Sequence, residues 1–134
     1  MTTFFDTSAL LAAINSTEPH HRWSKEQLVK FKAQGPVLIT DIVYCELSVG
    51  MPTQADVDHV VQRLALERHP GNDAILFWAG KAFLKYKSKN KGRKSAVLPD
   101  FLIGAAADVT GAPLVTANAR DVANYFPTLK IIKP

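Results

Sequence analysis

Short apolar runs alternate along this chain with longer segments in which apolar residues recur at helical spacing. The runs at 2–5, 37–39, 114–116 and 129–132 predict strands. Helices are predicted in the segments 9–15, 19–34, 41–49, 53–64, 72–86, 100–110 and 120–125. Because interior strands joined through helices pair in parallel, the pattern predicts an α/β fold of three layers, α/β/α, with a mainly parallel central sheet of four to five short strands.

The size and composition of the chain indicate one globular domain spanning residues 1–134. No apolar stretch approaches the roughly 18 residues that a membrane span needs, so we expect no membrane association. The amino terminus enters a predicted strand almost at once, which leaves no room for a signal peptide. The single Cys45 excludes an internal disulfide and fits a reducing compartment. We therefore expect a cytoplasmic protein.

Four carboxylates lie in or beside apolar runs, where a charge is costly unless it is paired, hydrogen-bonded or bound to a metal. They are Asp6, Glu46, Asp100 and Asp121. Asp6 follows the first predicted strand and Asp121 lies just beyond the third, and ligands of such sheets bind at the carboxyl ends of the strands. Oxygen ligands without matching bases suit a hard divalent cation. The sequence predicts one shared acidic pocket.

Each acid also has a simpler structural explanation. Asp6 precedes a helix, where Asp is a common N-cap, although Thr7 or Ser8 would leave its carboxylate free by capping instead. Asp100 opens a predicted helix, where the macrodipole favours a carboxylate. Glu46 shares a helix face with apolar residues, and the simpler alternative is an exposed helix end. None of the three explanations excludes a role in the pocket.

The segment around Asp121 leaves the fourth member of the pocket open. Asp121 lies in a short predicted helix, where an exposed Asp needs no explanation, and Asn118 competes with it for the same role. Thr116 is placed to bind a carboxylate or a metal-bound water. Asp108, two turns beyond Asp100, is interpreted as structural.

The positive charge of the chain is concentrated in the stretch KYKSKNKGRK, which contains no acid. Its cations are Lys85, Lys87, Lys89, Lys91, Arg93 and Lys94. The net charge of the whole chain is +4, so without these six residues the rest is slightly acidic. A solvated loop is the simpler interpretation. However, the stretch immediately precedes Asp100, and Lys and Arg contacts to phosphates supply affinity for nucleic acid, which favours a polyanionic phosphodiester substrate.

Taken together, the motifs around the acids resemble those of the PIN domain family, and most closely the VapC-type toxin ribonucleases of bacterial toxin–antitoxin pairs. FFDTSALLA resembles the opening strand and first acid of that family, ITDIVYCELSVG its second motif, and LPDFLIGAAADVTGAPLVTANARD its third and fourth motifs. The chain departs from the pattern twice, because the family often has an acid where Asn118 stands and an aromatic where Val122 stands.

The resemblance implies a PIN-like fold and an endoribonuclease that depends on Mg²⁺ or Mn²⁺. It implies that Asp6 and Asp100 contact the metal directly, while Glu46 and Asp121 hold metal-bound waters or a second ion. The accessory residues that it implies are Thr7, Thr40, Thr116 and Asn118. It also implies an RNA substrate, a VapB-like antitoxin whose tail covers the acidic pocket, and a homodimer.

Two other classes of function remain open. A phospho-aspartate phosphatase would use Asp6 as its nucleophile. Such enzymes typically carry a second Asp two positions on, where this chain has Ser8. A non-catalytic RNA- or protein-binding module, in which the acids are structural, fits the missing aromatic at Val122. Such a module would show metal-insensitive thermal stability and no nuclease activity.

Overall fold

Five short parallel strands form the central sheet of the computed structural model, which describes residues 1–90 and 97–134. The strands are β1 (Thr3–Phe5), β2 (Val37–Thr40), β3 (Leu66–His69), β4 (Leu114–Val115) and β5 (Ile131–Ile132). Their order is β3-β2-β1-β4-β5, so the chain builds outward from β1 first to one side and then to the other. Ligand sites of open parallel sheets lie at such a reversal of strand order, here beside the carboxyl end of β1.

Helices flank the sheet and confirm the predicted α/β class. They are α1 (Thr7–Ile14), α2 (His21–Lys32), α3 (Asp41–Val49), α4 (Gln54–Arg63), α5 (Asp73–Lys89), α6 (Leu98–Thr110) and α7 (Arg120–Tyr125). Side chains cap several of them, including Thr40 before α3 and a reciprocal Thr53–Asp56 capping box on α4. Among the described helices, none combines the length and the apolar character needed to cross a membrane.

One strand was not predicted from the sequence. β3 has the sequence LERH and pairs with β2 along its whole length, from Val37↔Leu66 to Thr40↔His69. Glu67 and Arg68 are exposed, because β3 lies at the edge of the sheet. An edge strand does not need the continuous apolar run of an interior strand. The apolar pattern therefore predicts four of the five strands.

The aromatic part of the core holds α5, α6 and α7 together. Phe101 of α6 is fully buried, and its ring centroid lies 5.8 Å from that of Tyr86, 5.4 Å from that of Tyr125 and 5.6 Å from that of Phe126. A Cβ at Gly104 would meet the Phe126 ring at 3.2 Å, so the small residue lets α7 approach α6 closely. This packing fixes the first turns of α6 and α7, which carry Asp100 and Asp121.

Candidate functional site

The four predicted acids meet at the carboxyl edge of the sheet. Asp6 follows β1 and is buried, while Glu46 in α3, Asp100 in the first turn of α6 and Asp121 in the first turn of α7 are half-buried. Burial, followed by the negative charges of Asp6, Glu46 and Asp121, raises the pKa of Asp100 to about 6. The charges of Asp6, Glu46 and Asp121 thus act on Asp100, and we call these four residues the acidic cluster.

Asp6 caps α1 and faces the acidic cluster with the same carboxylate. Its Oδ1 accepts hydrogen bonds from the backbone N–H of Ala9 (2.9 Å) and from the hydroxyl of Ser8 (2.7 Å). The alternative in which Thr7 or Ser8 caps the helix and frees Asp6 is therefore wrong. Burial raises the pKa of Asp6, the hydroxyls of Thr116 and Ser8 and the Ala9 N–H oppose that rise, and the charge of Glu46 adds to it. Because a carboxylate has two oxygens, capping and metal binding are compatible.

Ser8 joins the ends of β1 and β4 and was not predicted as a site residue. Besides donating to Asp6, its Oγ accepts from the backbone N–H of Ala117 (3.0 Å) and lies 3.3 Å from the hydroxyl oxygen of Thr116. Thr116 in turn accepts from the backbone N–H of Asn118 (3.0 Å). The signal in the sequence was the position of Ser8 two residues after Asp6, in the first turn of the helix that leaves the strand.

Thr7 fixes the orientation of Glu46. Its hydroxyl donates to Glu46 Oε1 at 2.7 Å and thereby joins α1 to α3. The apolar helix face predicted for Glu46 is only partly present, because Val43 is buried whereas Val49 is 87% exposed. Glu46 is thus held at the site by a hydrogen bond from another helix rather than by an apolar surface of its own.

The remaining predicted residues take different positions. The hydroxyl of Thr40 accepts from the backbone N–H of Val43 (3.3 Å) and so serves as the cap of α3, next to the carboxyl end of β1. Asn118 is exposed, whereas Asp121 is half-buried and its charge contributes to the raised pKa of Asp100.

The donor set of the acidic cluster suits a hard cation that keeps its water. Carboxylate and hydroxyl oxygens are the ligands preferred by Mg²⁺ and Mn²⁺. Within residues 1–90 and 97–134, no three side chains of Asp, Glu, His or Cys converge as a ready-made metal cage. Mg²⁺ is usually bound through one or two carboxylates and several waters, so two carboxylates such as those of Asp6 and Asp100 would meet its usual requirement for direct ligands. Of the neighbouring charges, that of Asp6 has the largest effect on Asp100, and a cation between the two would relieve their repulsion.

Two further features of the sequence are also located. Asp108 accepts hydrogen bonds from the indole N–H of Trp78 and from the hydroxyl of Thr128, each at 2.8 Å, in keeping with its structural interpretation. Three cations of the basic stretch are exposed on the last turns of α5, namely Lys85, Lys87 and Lys89. The other three lie outside the described residues, namely Lys91, Arg93 and Lys94.

Comparisons with known proteins give a family and a fold. Residues 3–125 match the family model described as PIN domain. No curated protein matches the chain by sequence. Among solved structures, the chain resembles a chain of VapBC2 from Rickettsia felis bound to a DNA fragment from their promoter, with 22% identity, a TM-score of 0.73 and coverage of 100% of this chain and 99% of that chain.

Two further solved structures have similar folds. A chain of VapBC-1 from nontypeable Haemophilus influenzae is 17% identical, with a TM-score of 0.74 and coverage of 99% of this chain and 98% of that chain. A chain of a toxin–antitoxin complex from Klebsiella pneumoniae is 23% identical, with a TM-score of 0.64 and coverage of 97% and 95%. At these identities the likeness establishes a shared fold.

Proposed function

Because the chain belongs to the PIN domain family, we propose that it is an endoribonuclease that depends on Mg²⁺ or Mn²⁺ and hydrolyses RNA phosphodiester bonds. The observation that carries the proposal is the acidic cluster at the carboxyl edge of the sheet, where burial and then the charges of the other three acids raise the pKa of Asp100 to about 6. Exposed lysines at the end of α5 suit a polyanionic substrate. Perturbed carboxylates gathered from separate elements are typical of catalytic sites.

We assign each residue of the site a role in binding the metal or in orienting a ligand. Asp6 and Asp100 would hold the divalent ion, which when bound supplies an activated water and stabilises charge on the phosphoryl oxygens. Ser8 and the N-terminal turn of α1 fix one oxygen of Asp6, so that its carboxylate is oriented before the substrate arrives. Thr7 holds Glu46 through Oε1, so the other carboxylate oxygen would be available to accept a hydrogen bond from a metal-bound water. No side-chain nucleophile is required.

The proposal is tested by incubating the protein with total RNA in Mg²⁺ and, in parallel, in excess chelator. Cleavage that occurs in Mg²⁺ and stops in chelator is the expected result. Absence of cleavage in both, together with a melting temperature that Mg²⁺ does not change, would contradict the proposal and identify a non-catalytic binding module. Covalent phosphorylation of Asp6 by a small phosphate ester would instead favour the phosphatase.

We also propose that the protein acts as the toxin of a cytoplasmic VapBC-type pair, as a homodimer, with a VapB-like antitoxin covering the acidic cluster. The support is that solved structures of similar fold are VapBC and toxin–antitoxin complexes. Co-expression with a short neighbouring reading frame tests the pairing, and light scattering gives the stoichiometry. A gene without such a neighbouring reading frame would contradict the pairing, and a monomer would contradict the homodimer.

Replacing Thr7 with Val should lower the cleavage rate by about 10- to 100-fold, the usual cost of losing a residue that orients a metal-site ligand. Val matches Thr in shape but removes the hydroxyl that donates to Glu46 Oε1. Cleavage measured over a range of Mg²⁺ concentrations should show the loss. Thr17→Val is a matched control on an exposed turn, and equal rates for both variants would show that Glu46 needs no orientation.

The raised pKa of Asp100 predicts how the stability of the metal-free protein depends on pH. Because the folded-state pKa of about 6 exceeds the 3.8 that is ordinary for an Asp side chain in water, the folded state binds the proton more tightly. The stability contributed by this group is present below about pH 4 and is lost as the pH rises through 6. Relative to Asp100→Asn, the wild type should therefore lose melting temperature between pH 4 and pH 7 in chelator. A pH-independent difference between the two proteins would contradict the prediction.

A further inference from the structure

A small cavity lies between α5 and the carboxyl-terminal end of α7, outside the acidic cluster. Its volume is about 170 Å³, and its walls include Trp78, Lys81, Lys85, Tyr125 and Thr128. We propose that this cavity binds one nucleobase of a single-stranded RNA whose backbone runs to the acidic cluster. The inference rests on the proposed function and extends it, because it assigns a second contact point to the substrate.

The walls of the cavity are held in place before any ligand binds. Both oxygens of Asp108 are engaged, one by the indole N–H of Trp78 and the other by the hydroxyl of Thr128, each at 2.8 Å. The hydroxyl of Tyr125 accepts from the side-chain amide of Asn90 at 3.2 Å, and its ring packs within the aromatic core. Fixed walls lower the entropic cost of binding, so two immobilised aromatic side chains form a suitable stacking platform.

The chemistry of the cavity favours a nucleotide. Aromatic side chains stack on any base, and lysines beside them attract the backbone phosphates, the usual combination in proteins that bind single strands. The cavity walls contain Lys81 and Lys85, and the ammonium of Lys89 lies 5.6 Å from the ring centroid of Tyr125. With about 170 Å³, the space is smaller than the roughly 300–1,000 Å³ typical of sites for drug-sized molecules and suits a single planar ring system.

The position of the cavity connects it to the acidic cluster. Tyr125 follows Asp121 by four residues on α7, so the two side chains share one helix face with about 5–6 Å between their Cβ atoms. The ring of Tyr125 also lies 5.4 Å from that of Phe101, the residue after Asp100. In the proposed complex, a strand with one phosphate at the acids places a base further along that strand in the cavity. The consequence is a base contact at a constant number of nucleotides from the cleaved bond.

The first test measures the affinity for a fluorescein-labelled single-stranded oligoribonucleotide in chelator, where no cleavage occurs. Trp78→Ala should weaken binding by about 5- to 100-fold, as expected for the loss of one base–aromatic stack. Trp78→Phe keeps an aromatic surface but loses the hydrogen bond to Asp108, so its affinity should lie between that of the wild type and that of Trp78→Ala. Leu84→Ala is the matched control, because Leu84 is exposed on the same helix and is not among the cavity walls. Its affinity should equal that of the wild type.

The second test removes bases instead of protein side chains and so does not depend on the folding of a variant. An abasic site is moved along the oligoribonucleotide, and the affinity of the wild type should fall at one position. The same abasic site should have no further effect on Trp78→Ala, since the partner of that base is already gone.

The outcomes separate this inference from the proposed function. Equal affinities of Trp78→Ala and the wild type, or no sensitive abasic position, would overturn the cavity assignment whether or not the protein cleaves RNA. Unchanged RNA affinity with weakened binding of a partner polypeptide would assign the cavity to a protein side chain instead. Conversely, a sensitive Trp78 in a protein that never cleaves RNA would leave the cavity assignment intact and contradict only the nuclease.

Discussion

Asp6→Asn is expected to abolish metal-dependent RNA cleavage while the fold remains intact. Asn is as good an N-cap as Asp, so the hydrogen bond from the Ala9 N–H to residue 6 is preserved. The substitution removes the charge that would hold the divalent ion, and a bound ion supplies several kcal/mol of transition-state stabilisation. At about 1.4 kcal/mol per tenfold change, the rate should fall by at least about 100-fold.

The measurement compares initial cleavage rates of a defined RNA in Mg²⁺, with melting curves as the check on folding. Asp73→Asn is the matched control, because Asp73 is an exposed Asp in the first turn of α5 and belongs to no acidic cluster. It should cleave as the wild type does. Undiminished cleavage by Asp6→Asn would overturn the site assignment. Since Asp6 is buried with a raised pKa, its neutral replacement should melt no lower than the wild type in chelator.

Phe101→Ala should be the most destabilising single substitution in the aromatic core, at about 3–5 kcal/mol. The side chain is fully buried and packs against Tyr86 of α5 and against Tyr125 and Phe126 at the end of α7. Truncation leaves a cavity that these rings fill only in part. Because whole domains have roughly 5–15 kcal/mol of stability, such a loss threatens folding itself.

Urea denaturation followed by circular dichroism measures this effect. Phe77→Ala is the matched control, because Phe77 is 66% exposed on α5 and its loss should change the free energy of unfolding by about 0.5 kcal/mol at most. A loss below about 1 kcal/mol for Phe101→Ala would show that α5, α6 and α7 do not depend on this ring. If the variant cleaves poorly while still folded, the neighbouring Asp100 has moved.

Much of the fold was predictable because its signals are local. Interior strands such as β1 and β2 are short apolar runs, and helix starts are marked by residues such as Thr40, Thr53 and Asp6. β3 was not predicted, because an edge strand gains its pairing from β2 rather than from its own side chains. The alternation of strands and helices was enough for the class of sheet, since it limits the possible connections.

The proximity of the four acids was predictable from the sequence, but the contacts that hold them were not. The position of each acid relative to a strand end or helix start is visible in the chain, which is why Asp6, Asp100 and Asp121 were expected to converge. The role of Ser8 could not be predicted, because its partners at residues 116 and 117 are 108 and 109 positions away in the sequence. Asp6 was expected either to cap or to be free, whereas one of its oxygens caps and the carboxylate still faces the other acids.

By itself, the sequence predicted the order of the elements apart from β3, the placement of Asp6, Asp100 and Asp121 at or beside the ends of elements, and the concentration of cations before α6. Each of these depends on residues within a few positions of one another. Only the tertiary structure decided that Thr7 binds Glu46 across 39 residues, that Ser8 reaches Thr116 across 108, and that Trp78, Tyr125 and Thr128 enclose one cavity. The physical reason is that hydrogen bonds and electrostatic effects depend on distances in space, and distances between remote segments exist only once the sheet has formed.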